Sequence, residues 1–268
     1  MGLAQNQSYV CSTAASVVRY SKRRSMKSLF VKELRSFLSS LIGYVVMAVF
    51  LLMTGLFLWV FPGETNILDM GFASLDGLFF ITPWVFIFLI PAITMRSFAE
   101  EKRTGTIELL LTKPLSEWNI VMAKYLAGLA LVAVALIPTL VYYITVYRLG
   151  SPVGNIDSGA TWGSFLGLFF LASAYVSIGL FCSSITDNQI VAFLLAALLI
   201  FIIYSGFQSL ASFDILGSLD TVFSSIGMQS HFNSLGRGVV DSRDVIYFVI
   251  LTALFLMLTR LVLLSRKW

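Results

Sequence analysis

Residues able to do chemistry are scarce in this chain, and the densest group of them lies between Arg96 and Lys124, in RSFAEEKRTGTIELLLTKPLSEWNIVMAK. The stretch carries both charge signs, is punctuated by Thr, Gly and Pro, and separates two long apolar runs. Such a segment suits recognition by a partner in water and has no catalytic pattern. Within it Thr106 reads as an N-cap for a short helix from Ile107 to about Lys113, which Pro114 stops. Glu108 falls in the first turn of that helix, where a carboxylate meets the positive end of the dipole. Ile107, Leu110 and Leu111 form an apolar side that fits either a partner's groove or the lipid interface. Ser116 and Glu117 start the next helix, which carries Lys124 into an apolar run.

Catalytic and metal sites are absent from the pattern. The single histidine, His231, reads as an interfacial loop residue, since no nucleophile or second base is spaced to work with it. Cys11 and Cys182 lack metal-ligand spacing, and Cys182 ends an apolar run as a small packing residue. No GxxxxGK[ST] phosphate loop occurs, so ATP hydrolysis by that route is excluded and any energy source is another subunit. No cofactor is expected on this chain.

The elements that must position the Arg96 segment are membrane helices. With 58% hydrophobic and 12% charged residues, and a mean hydropathy of +0.89, the 268-residue chain cannot clothe a soluble domain. Six apolar runs are long enough to span a bilayer: 41–61, 77–95, 125–147, 162–182, 190–207 and 245–264. The fourth and fifth are joined by a tight hairpin, SSITDNQ, from Ser183 to Gln189. Basic residues crowd ahead of the first run, between the second and third, and at the C-terminal end, whereas the alternate loops hold only Arg148, Arg237 and Arg243. Both termini and the Arg96 segment are therefore expected in the cytoplasm. The same clustering explains the net charge of +4 without nucleic acid.

Arg260 is the one charged residue inside the six runs, near enough to an end to snorkel, so ion-coupled transport is disfavoured. Pro83, Pro91 and Pro138 lie within runs and can kink their helices, for motion or for packing. The outer segment 208–244 is half apolar and Gly/Ser-rich, and Phe213, Leu216, Leu219, Val222 and Ile226 suit short helices that dip back into the bilayer.

Residues 1–25 are polar and Ser-rich, lack a signal-peptide pattern, and read as a disordered tail or a start placed upstream of Met26. Residues 26–268 form the single membrane domain. It opens with MKSLFVKELRSFLSS, in which Leu29, Phe30, Leu34, Phe37, Leu38 and Leu41 fall largely on one helical face. Lys27, Lys32 and Arg35 lie opposite, with Glu33 among them, giving an amphipathic helix on the membrane surface.

The run Arg96, Phe98, Ala99, Glu101, Arg103, Gly105, Thr106, Glu108, Leu110, Pro114, Lys124 resembles the cytoplasmic loop of ABC-2 type permeases, the membrane subunits of ABC transporters. The similarity extends from Met26 to Trp268, through HFNSLGRGVVDSRDVIYF at His231 to Phe248. It is nearest to the bacterial gliding-motility branch, with the permeases of copper-oxidase maturation next. The resemblance implies an all-α membrane protein with six transmembrane helices, an N-terminal interface helix, a cytoplasmic coupling helix and re-entrant outer helices. It implies a separate ABC ATPase subunit that binds ATP and Mg, and a second permease subunit or second copy. The setting it implies is a bacterial cytoplasmic membrane. Arg96 to Pro114 would contact the ATPase, with Glu101, Gly105, Thr106 and Glu108 nearest, and the Met26 helix would add to that surface. Arg237, Gly238, Asp241, Arg243 and Asp244 match the outer-loop pattern, where a surface ion pair is expected to order the turn into the sixth span. A non-transporting anchor or assembly scaffold is the alternative reading.

Overall fold

The computed structural model describes residues 26–111, 116–211, 226–238 and 241–265, and among these every regular element is helical. Helix α1, Met26–Leu38, is bent by 65° from the chain that follows it into α2, Leu41–Trp59. Leu29 is buried and Phe30, Leu34, Phe37 and Leu38 are half-buried, while Lys27, Lys32 and Arg35 stay exposed. The amphipathic face expected from spacing is thus the face that packs, except for Leu41, which begins α2 and is exposed.

The second span is α3, Asp76–Thr94, continued past Met95 by α4, Arg96–Arg103, as one 28-residue helical run. Pro83 and Pro91 sit inside α3 without ending it. Thr82 and Thr94 donate their hydroxyls back to the Leu78 and Ile90 carbonyls, which keeps their polar groups satisfied in the apolar interior. Pro138 behaves differently. There α6, Glu117–Leu136, tightens into a 3-10 turn over Ile137–Thr139 before α7, Leu140–Leu149, completes a 33-residue run.

The fourth span, α8, Ser158–Ile185, is the axis around which the others pack. Its small residues let neighbours come close: a methyl on Gly179 would lie 2.1 Å from the Thr94 hydroxyl, and one on Gly128 of α6 would lie 2.9 Å from Val176. The hairpin to the fifth span is shorter than the sequence reading gives it, because α8 continues through Ser183 and Ser184 to Ile185. Asn188 then caps α9, Gln189–Phe201, by accepting from the Ile190 amide at 2.9 Å. A π turn at Ile202–Gly206 leads to α10, Phe207–Ala211, and directs buried Tyr204 edge-on toward Trp84 and Tyr175.

At the end of the bundle opposite α4, the short helix α11, Met228–Leu235, lies against Gly163 and Gly167 of α8. The sixth span, α12, Ser242–Leu264, follows it. Among the described residues five helices are long and apolar enough to cross a membrane, six when the bent α1–α2 pair is counted. Of the residues expected to dip back into the bilayer, Phe213, Leu216, Leu219 and Val222 lie outside the described ones, as do residues 1–25.

Candidate functional site

The Arg96 segment leaves the bundle under tight control. The Ser183 hydroxyl, on the last turn of α8, accepts from the amides of Phe98 and Ala99, each at 3.1 Å, and donates to the Met95 carbonyl at 2.9 Å. It thereby occupies a gap in the helical ladder where α3 passes into α4. Lys102 adds a second tie, donating to the Ser184 carbonyl at the same helix end, where a cation meets the negative end of the dipole. Sequence reasoning places Ser183 in a loop and misses this role.

Lys124 is the centre of the site. Its side chain is 1% exposed, and its ammonium meets Glu101 at 2.9 Å, Glu33 at 3.2 Å and the Ser97 carbonyl at 2.6 Å. Three protons thus face three acceptors, from α1 and α4, and the Phe98 ring lies 5.1 Å from the charge. Lys32 approaches the same carboxylates from solvent, at 3.4 Å from Glu33 and 3.7 Å from Glu101, so two cations balance two anions. A lysine read as marking the membrane entry is therefore a buried clasp joining α1, α4 and α6. Beside it opens a cleft of about 330 Å³, lined by Ser36, Ser40, Arg96, Thr104, Ala127 and Leu131 among others. Arg96 pairs loosely across one helical turn with Glu100, at 4.0 Å.

Beyond Arg103 the chain turns sharply. Gly105 takes a φ of +70°, a left-handed conformation that costs a residue with a side chain, and its amide bonds back to the Lys102 carbonyl to close α4. Helix α5, Thr106–Leu111, starts at once. Thr106 is thus the first helical residue and not the cap. Its hydroxyl donates to the Glu101 carbonyl and stands 3.0 Å from that of Thr104. Ile107 is buried in this chain's own core, so it is not offered to a partner; Arg103, Thr104, Gly105, Thr106 and Glu108 are exposed. The side chains of Leu110 and Leu111, and Pro114 as a whole, lie outside the described residues.

At the end of the bundle opposite α4, the residues expected to form a surface ion pair are arranged by other means. Asp241 caps α12, accepting from the Arg243 amide at 3.0 Å. Asp244, buried in the first turn, meets His231 Nδ1 at 2.7 Å, and the His231 ring stacks on Tyr247 at 4.0 Å. The Tyr247 hydroxyl donates to the Ile226 carbonyl at 2.5 Å. Arg237 and Arg243 are exposed, and Gly238, at φ +83°, passes so close to α8 that a methyl there would lie 3.0 Å from the Ala160 amide.

The family model for ABC-2 family transporter proteins matches residues 69–265, from the approach to α3 to the end of α12. The chain belongs to the ABC-2 transporter family. No curated protein matches it closely enough to add a relative. An ABC-2 membrane domain with five to six apolar helices makes this protein a multi-pass permease component of an ABC transporter. The matched range takes in α4, α5, Lys124 and the His231–Asp244 pair, and leaves α1, which supplies Glu33, outside it.

Proposed function

We propose that this ABC-2 permease is driven by a separate ATPase subunit that docks on α4, α5 and the neighbouring face of α1. ATP and Mg would be bound by that subunit, the docking face would lie in the cytoplasm, and the membrane would be the bacterial inner membrane. The observation that carries the reading is the Lys124 clasp. Exposed Thr104, Thr106 and Glu108 stand within a few residues of Glu101, whose carboxylate holds Lys124 and through it α6 and α1. A push on α5 would therefore reach the third span through Lys124, and the fourth through Ser183. A second permease subunit, or a second copy of this chain, would complete the path.

The finer reading is a gliding-motility transporter of the GldF type, supported by the opening MKSLFVKEL, the stretch from His231 to Phe248 and the closing SRKW. Purification in mild detergent from the native cell, followed by identification of the copurifying subunits, tests both levels. Recovery of an ATP-binding protein with wild type, and its loss with Glu108→Lys at unchanged membrane insertion, is the expected result. Retention of the ATPase by Glu108→Lys and Gly105→Pro alike would remove the docking assignment. An ATPase that stays bound but turns over ATP identically after lesions in the spans would make the protein a tether.

A further inference from the structure

Helix α1 separates two hollows of opposite character. On one side is the polar cleft beside Lys124. On the other, a groove of about 410 Å³ runs between α1, α6 and α8, walled by Phe30, Leu126, Ala130, Ala133 and Phe169, with Lys27 as the one charged residue among the described residues that line it. We propose that this groove seats an anionic phospholipid of the leaflet at the α1 end, its headgroup at Lys27 and one acyl chain along α6.

Three observations select that occupant. First, the walls offer almost no polar atoms, so an extended peptide lying there would strand its amides and carbonyls, whereas an acyl chain brings none. Second, the length fits. Leu126 to Ala133 covers about 10 Å at the α-helical rise. One leaflet of hydrocarbon is about 15 Å deep, half of the usual core. The groove therefore holds most of one chain and ends before the midplane, and Ala130 and Ala133, one turn apart, keep its floor low. Third, the charge is available. Lys32 and Lys124 are engaged by Glu33 and Glu101, but Lys27 has no carboxylate partner among the described residues and is exposed at the mouth. A lipid held here braces α1 against α6 from the side that the Lys124 clasp does not reach.

The inference is independent of the ATPase assignment and is tested without it. The purified chain, loaded with phosphatidylglycerol or phosphatidylcholine of identical acyl composition, is analysed by native mass spectrometry for lipid retained under matched activation. Wild type is expected to retain phosphatidylglycerol about fivefold over phosphatidylcholine, the preference one near-surface lysine provides. Lys27→Glu, an exposed substitution, should erase the preference, and Ala133→Phe should lower retention of both lipids by filling the groove. Equal retention of the two lipids by wild type, or a preference unchanged in Lys27→Glu, overturns the proposal. So does a membrane subunit that copurifies with wild type and is lost from Ala133→Phe while lipid retention stays the same.

Discussion

The two ends of this permease each bury a carboxylate against a cation-forming side chain, and they do so on different scales. At the α4 end, Lys124 gathers Glu33, Glu101 and the Ser97 carbonyl, joining residues as far as 91 positions apart on three helices. At the opposite end, His231 meets Asp244 only 13 residues away, and the pair fastens one short helix to the start of the next. Each leaves one carboxylate oxygen, Glu101 Oε2 or Asp244 Oδ2, buried without a hydrogen-bond partner among the described residues. The α4 end, however, opens into a cleft with solvent-facing Lys32 and an exposed loop beside it. The other is a closed fastening. Long-range connection at one end and local closure at the other is the division expected of a protein pushed from one side.

The largest effect should come from Lys124→Met, which leaves two largely buried carboxylates with only solvent-facing Lys32 against them and costs on the order of 3 kcal/mol. Thermal unfolding in detergent should drop steeply and ATPase copurification should be lost. Adding Glu33→Gln and Glu101→Gln should restore part of the stability, because the uncompensated charges are gone, but not the copurification. Ser183→Ala comes next: it removes the hydroxyl that bridges two amides and a carbonyl at the α3–α4 junction, for about 2 kcal/mol. Partner-stimulated ATP turnover should fall further than stability does. Asp244→Asn weakens only the His231–Asp244 fastening, by about 1 kcal/mol. It should lower the melting temperature slightly and leave ATPase copurification at the wild-type level; a loss of copurification here would erase the contrast between the ends. Gly105→Ala, at a φ of +70°, should cost about 1 kcal/mol in stability, an effect of the same size as that of Asp244→Asn.

Much of the architecture is legible in the sequence because it rests on local pattern. The apolar runs give the spans, and the spacing of Leu29, Phe30, Leu34 and Phe37 gives α1. What escapes is tertiary. Ser183 completes a helix that lies 85 residues earlier, so nothing near it in sequence distinguishes it from a loop serine. Lys124 reads as one more positive charge at a membrane boundary, since the carboxylates that claim it come from helices it meets only after folding. Ile107 has the periodicity of a surface knob and is spent on the chain's own core. The His231–Asp244 pair hides for the opposite reason: its members are close in sequence, but the stacked Tyr247 and the buried first turn of α12 that bring them together carry no signature.

A photo-crosslinking residue placed at Glu108, and separately at Arg237, tests the central assignment most directly, because both positions are exposed and they lie at opposite ends of the bundle. A covalent adduct between the Glu108 position and an ATP-binding subunit is expected in native membranes, and none from Arg237. Adducts of that subunit at Arg237, or at neither position when the subunit copurifies, would contradict it.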